Sequence, residues 1–196
     1  MAELNRMDAL RLVDAAFPDQ PIVVNVGAAI REMVAAVGSK PNHLHILDSM
    51  GLPPAIGLGL SLGLAESRFE KVVAIEGDGG LLMGLSVLST IGMLAPEKLV
   101  LIVLDNGTYG STGGQPTASD STDFAGVARA CKMVANDVDS AEGLRGALNE
   151  ARAIEEPVLI RVRIGPKTEK TPYFLEDPAV LADTFRRFLR DGPARA

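Results

Sequence analysis

Two short segments of this 196-residue chain carry residue types that could hold a phosphate and its metal. The first is Glu76-Gly77-Asp78-Gly79-Gly80, and the second is Asp105-Asn106-Gly107-Thr108. Glycines let a backbone approach a phosphate closely. A helix opening at that point adds free N–H groups and the positive end of its dipole. A carboxylate beside a lone phosphate would repel it, so Asp78 makes chemical sense as the ligand of a divalent cation that bridges to the phosphate. The amide oxygen of Asn106 would add to the hard, oxygen-rich sphere that Mg2+ prefers. A third stretch, Gly27-Ala28-Ala29, again puts small residues where a helix opens. A Gly-Asp-Gly triplet is also an ordinary turn, and by itself it leaves both readings open. A dinucleotide fingerprint fails, because the third glycine of G-x-G-x-x-G would fall at Leu82. Gly57-Leu58-Gly59 with Gly63 follows Pro53-Pro54 rather than a strand, so close helix packing is the better reading.

The elements that must position these segments follow from apolar periodicity. Leu4, Met7, Leu10, Val13 and Phe17 form a helical stripe over 4–16. Apolar runs predict strands over 22–26, 43–47, 72–75, 99–104, 132–135 and 157–164. Between and after them, helical spacing predicts helices over 28–37, 55–67, 81–94, 124–130, 141–153 and 177–190. The six consecutive apolar residues of 99–104 suit a central parallel strand covered on both faces. Strands alternating with helices predict a three-layer α/β/α fold around a parallel, doubly wound sheet of about six strands. In such sheets ligands sit outside the carboxyl ends of the strands, where all three segments fall. The polar, Gly-rich stretch 105–122 is the only long one without predicted structure, and loops of that length usually carry function. Residues 1–196 are expected to form one domain, with 166–196 as a C-terminal extension and surface helix.

Composition excludes several classes. A 47% apolar and 22% charged chain is globular rather than disordered. Nineteen Lys and Arg against 25 Asp and Glu give a net charge of -6, with no basic block for nucleic acid. A lone cysteine, Cys131, excludes an internal disulfide framework and suits a reducing compartment. Met1-Ala2-Glu3-Leu4-Asn5-Arg6 shows no leader-like apolar core, and no apolar run reaches the roughly 18 residues of a membrane helix. A cytoplasmic protein is expected.

Spacing sharpens the first reading. Gly77-Asp78-Gly79, then a predicted helix and strand, then Asn106, with 26 residues between Gly79 and Asn106, resembles the thiamine-diphosphate motif. The resemblance runs over about residues 20–165. It is closest to the β subunits of sulfopyruvate decarboxylase and the C-terminal part of phosphonopyruvate decarboxylase. The stretch Leu104-Asp105-Asn106-Gly107-Thr108-Tyr109-Gly110-Ser111-Thr112-Gly113-Gly114-Gln115-Pro116-Thr117 carries it most specifically. Two departures stand out: Asp105 replaces a frequent Asn, and Gly80 replaces a frequent Ser that would touch the phosphate.

The resemblance implies a diphosphate- and Mg2+-binding domain. Asp78 and Asn106 would be side-chain metal ligands and Thr108 a backbone-carbonyl ligand. Gly77, Gly79, Gly80, Tyr109 and Gly110 would lie along the cofactor. Leu47-Asp48-Ser49-Met50-Gly51-Leu52-Pro53 resembles the loop beneath the pyrimidine ring, with Ser49 at the cofactor and Met50 imposing its bent conformation. Asn25-Val26-Gly27-Ala28-Ala29-Ile30-Arg31-Glu32 corresponds to the remaining phosphate-side loop, with Gly27 and Ala28 at the cofactor. Ser111, Thr112 and Gln115 are candidates for contact with an anionic substrate head.

The activity implied is decarboxylation of an anionic 2-oxo acid such as sulfopyruvate or phosphonopyruvate, releasing CO2 and an aldehyde. The activating Glu of such enzymes is expected on a separate pyrimidine-binding α subunit, in an assembly of at least α2β2, so no catalytic acid is assigned to this chain. Half of another thiamine-diphosphate enzyme (a carboligase or a 2-oxo acid oxidoreductase), or a non-catalytic cofactor-binding module, stays open at this point.

Other residues read as structural. His43 and His45 alternate on a short strand and face one side, Cys131 reads as core, and Arg161, Arg163, Lys167 and Lys170 read as a solvated strand end. The placement of Glu76 beside a phosphate site has no explanation in the sequence.

Overall fold

A computed structural model of the chain describes residues 4–192; residues 1–3, part of the stretch in which no leader is expected, and 193–196 lie outside the described residues. Six strands form one parallel sheet: β1 (Ile22–Val24), β2 (His43–His45), β3 (Val72–Gly77), β4 (Leu99–Asp105), β7 (Val134–Val138) and β8 (Val158–Arg163). Their order is β2-β1-β3-β4-β8-β7. Every residue of β4 is buried, as its unbroken apolar sequence requires of a strand with neighbours on both sides and helices on both faces.

The pleat sends alternate residues into two cores. On one face Val24, Ile75, Ile102 and Ile160 pack with α1 (Arg6–Ala16), α2 (Ala28–Val37) and α7 (Ala141–Ala153). On the other, Val23, Ala74, Leu101 and Leu159 pack with α3 (Pro53–Gly63), α5 (Val87–Leu94) and α6 (Phe124–Ala130). The register pairs Val24 with Ile75 and Ile75 with Ile102, so one apolar layer runs continuously beneath the sheet. Gly57 of α3 packs so near β3 that an added Cβ would lie 2.8 Å from Ala74 Cβ, so the packing role read from the sequence holds there, whereas a Cβ added at Gly59 or Gly63 would meet nothing within 4 Å.

Three predictions are corrected. The single helix expected over 81–94 is two helices, α4 (Asp78–Met83) and α5. The break is at Gly84, where the Gly51 carbonyl oxygen would sit 2.9 Å from an added Cβ and crowds a continuous helix face. The stretch 105–122 is not structureless: it folds into a two-stranded ribbon, β5 (Thr108–Tyr109) with β6 (Gln115–Pro116), and a 3-10 turn over Ala118–Ser121. The strand expected over 132–135 lies further on, at Val134–Val138.

The tail helix α8 (Pro178–Asp191) lies on the surface, with only Phe185 and Phe188 buried, and Phe188 packs against Phe69. None of the described helices is long and apolar enough to cross a membrane.

Candidate active site

Strands β1, β3 and β4 all end on one edge of the sheet. From β1 the chain crosses outward to β2, then returns to β3 on the other side, so the winding reverses between β1 and β3. Open α/β sheets form their crevice at such a switch point. A pocket opens there. Asn25, Gly27 and Ala28 follow β1 into it, Gly77 to Gly80 follow β3, and Asn106, Thr108, Tyr109, Gly110 and Ser111 follow β4. Met50 joins from the loop before α3, with Arg6, Arg31 and Thr168 completing the wall.

Two buried carboxylates sit at this pocket. Asp78, 2% exposed, is the first residue of α4, and the Thr117 hydroxyl donates a hydrogen bond to its Oδ2. Burial raises its pKa; the Thr117 hydroxyl opposes this, the charge of Asp105 adds to it, and the Asn106 and Gly79 amides oppose it. Glu76 is fully buried, and burial pushes its pKa up to about 8. It accepts from Gly77 N–H at 2.9 Å and from Gly51 N–H at 3.1 Å. No cationic side chain offsets either acid among the described residues. Burial thus disfavours the charged form of both acids, and a divalent cation beside Asp78 would supply the counter-charge its ionised form lacks.

The loop after β4 has fixed geometry. Asp105 Oδ1 accepts from Gly107 N–H at 3.1 Å, and the Asn106 amide donates to Thr108 Oγ1 at 3.1 Å while accepting from Thr108 N–H at 3.3 Å. Gly107 sits at φ +70, where a side chain would be strained. The ribbon then returns Thr117 to Asp78, with Thr117 N–H bonded to the Gly107 carbonyl at 2.9 Å.

No group of three or more His, Cys, Asp or Glu gathers among the described residues. A metal here would therefore rest on one carboxylate with amide and backbone oxygens, a donor set suited to a hard cation. Asn25 is 7% exposed, and its carboxamide oxygen has no hydrogen-bond partner among the described residues. Such an orphaned buried atom marks a place for a ligand or water. Donor set, uncompensated acids and orphaned amide together fit a metal-bound diphosphate.

Comparison with known proteins agrees with this geometry. Residues 26–162 match the family model described as thiamine pyrophosphate enzyme, C-terminal TPP binding domain. The chain belongs to this family. It is 35% identical over 170 residues to sulfopyruvate decarboxylase subunit beta of Methanococcus maripaludis, covering 87% of this chain and 89% of that protein. It is also 35% identical over 196 residues to phosphonopyruvate decarboxylase of Streptomyces viridochromogenes, covering 98% of this chain and 48% of that protein. Benzoylformate decarboxylase from Polynucleobacter necessarius shares the fold, with a TM-score of 0.74 at 18% identity over 85% of this chain and 34% of that one.

Most of the residues expected at the cofactor of this TPP-binding domain line one pocket: Gly27, Ala28, Met50, Gly77, Asp78, Gly79, Gly80, Asn106, Thr108, Tyr109 and Gly110, with Ser111 beside them. Ser49 does not line it. Nor do Thr112 and Gln115, which bond to each other at 3.1 Å on the exposed ribbon.

The role missing for Glu76 is visible in its contacts. By accepting from Gly51 it ties the loop bearing Met50 to the end of β3. Arg161 corrects the expectation of a solvated strand end: it is 4% exposed and ion-paired with Asp105. It also donates to Asp137 at 3.1 Å and to the Ser119 carbonyl at 3.4 Å. Arg163 and Lys167 do lie in solvent.

His43 is structural as expected, its Nε2 lying 3.1 Å from Asp14 Oδ1. His45 is buried too, but neither ring nitrogen has a partner among the described residues. Cys131 is only partly buried, against the core beside α6. Thr117 is a site-related residue to which sequence reasoning gave no individual role, and Arg31 was read only as part of the phosphate-side loop.

Proposed function

We propose that this chain is the cofactor-holding β subunit of a cytoplasmic, two-subunit, thiamine-diphosphate-dependent decarboxylase. Its substrate would be a small anionic 2-oxo acid such as sulfopyruvate or phosphonopyruvate, cleaved to CO2 and an aldehyde. The observation that carries this is the pocket at the β1/β3 switch point, where Met50, Asp78, Asn106 and Thr108 converge. The likeness to a sulfopyruvate decarboxylase β subunit along most of both chains supports it.

In this reading residues 1–196 form one diphosphate- and Mg2+-binding domain, with 166–196 as its extension. Asp78, aimed by the Thr117 hydroxyl, is the charged metal ligand. Asn106 and the Thr108 carbonyl complete the protein's share, and Gly79 and Gly80 lie against the phosphates. When bound, thiamine diphosphate supplies the electron sink that lets CO2 depart. Met50 supports the cofactor's bent shape from a loop held by Glu76. Tyr109, Gly110 and Ser111 at the start of the ribbon would flank the bound cofactor.

The family resemblance implies that the activating Glu comes from an α subunit, in an assembly of at least α2β2, and the likeness to proteins named as β subunits supports such a partner. Co-expression with the α subunit, followed by product analysis on sulfopyruvate, phosphonopyruvate and pyruvate with thiamine diphosphate and Mg2+, tests this. Turnover of a charged substrate only by the two-subunit complex is expected. Robust decarboxylation by this chain alone, or carboligation or oxidation as the main reaction, would overturn it.

A further inference from the structure

Two cations line the pocket, Arg6 and Arg31, and they are not equivalent. Arg6 is neutralised: its Nη1 lies 2.9 Å from Glu32 Oε1, both side chains are nearly buried, and Thr168 Oγ1 accepts from the same nitrogen at 3.5 Å. Arg31 has no carboxylate within ion-pair distance among the described residues. Its guanidinium lies 5.3 Å from the ring centroid of Tyr173, a contact that orients the group and leaves its charge free.

The helix dipole at Arg31 disfavours a cation and favours an anion beside it. Arg31 is the fourth residue of α2, in the first turn, where the helix dipole is already positive. That turn has no acidic residue, and its N-cap, Gly27, offers no side-chain hydrogen bond. Lining the pocket without an ion pair among the described residues, the Arg31 guanidinium is a receptor for an oxyanion, which its planar fork fits well.

Depth separates the two anions that could come here. Asp78, where the cofactor's metal is placed, is 2% exposed, whereas Tyr173 is 80% exposed, so a guanidinium stacked on its ring stands at the mouth of the pocket. The mouth is where a substrate enters.

We propose that Arg31 recognises the second, non-reacting anionic group of the substrate, a sulfonate or phosphonate head, and so sets specificity against analogues that lack this group, such as pyruvate. This rests on the decarboxylase reading above. The test is Arg31→Gln, with Arg31→Lys beside it, in the complex with the α subunit. Arg31→Gln lowers kcat/KM on the charged substrate about 10- to 150-fold, mostly through KM, the scale of losing hydrogen bonds to a charged group. Activity on pyruvate stays level or rises, Arg31→Lys recovers part of the loss, and inhibition by unreactive 3-sulfopropionate or 3-phosphonopropionate weakens in parallel. Calorimetric affinity for thiamine diphosphate changes less than about twofold, below what loss of a charged hydrogen bond would cause.

An unchanged preference for the charged substrate, or a loss confined to cofactor affinity, overturns the proposal. A wild-type complex that never prefers the charged acid to pyruvate would instead bring down the reading on which it stands.

Discussion

The carboxylate of Glu76 lies so close to the Cα of Gly80 that a Cβ there would overlap Oε1. This pair accounts for a glycine where a serine is frequent in the motif, and for the buried acid that precedes it. Glu76 occupies the space a side chain at position 80 would need, and its other oxygen accepts from Gly51. Strand end, helix start and Met50 loop are thereby one packed unit.

Gly80→Ser is therefore expected to destabilise the chain by about 1–3 kcal/mol, as overpacking does. In a Glu76→Ala background the same serine should cost less by about 1 kcal/mol or more, the coupling expected of touching residues. Denaturant unfolding of the four proteins of this cycle measures it. Additive effects would show that the two positions are independent.

Arg161 and Asp105 supply a second prediction. Arg161→Met leaves Asp105 buried beside Asp78 without its cation, and should cost about 3–5 kcal/mol. Adding Asp105→Asn removes the stranded charge while keeping an acceptor for Gly107 N–H, so the double variant should regain much of that loss. Equal stability of the single and double variants, by urea unfolding, would refute this account of the ion pair.

The third concerns acid. Burial, aided by the nearby His43, pushes the pKa of His45 down to about 4 from an ordinary 6.5. Between those values the unfolded chain binds a proton that the folded chain refuses, so stability falls as pH drops from 6.5 towards 4. The contribution is complete above 6.5 and is worth on the order of 3 kcal/mol. Asp14, paired with Lys40 and His43, loses its own contribution at lower pH, because those partners hold its pKa down. His45→Phe removes only the first effect, and should lose less stability than the parent between pH 7 and 4.5 in urea unfolding. Parallel losses would contradict it.

The sequence carried the alternation of strands and helices because each strand is a local apolar run and each helix a local stripe. It also carried the motif, since Asp78 and Asn106 sit at the ends of adjacent strands separated by one ordinary crossover. What it hid is non-local. The partner of Glu76 is Gly51, 25 residues away, and those of Arg161 are 56 and 24 residues away on Asp105 and Asp137. A lone arginine ending an apolar run looks solvated until the neighbouring strands are known. The ribbon at 108–116 depends on pairing across a glycine-rich turn, which no periodicity announces. Thr117 gained a role only when that ribbon returned it to Asp78.

The central claim is that Asp78 holds the metal on which cofactor binding depends. Calorimetric titration of thiamine diphosphate into the two-subunit complex, with and without Mg2+, tests it most directly when parent and Asp78→Asn are compared. Thermal unfolding confirms that the variant is folded. The parent should bind only with the metal present, and Asp78→Asn should weaken binding by about 100-fold or more, at least the loss that follows removal of groups merely supporting a metal ligand. Equal affinity in the two proteins, or binding by the parent indifferent to Mg2+, would contradict the account.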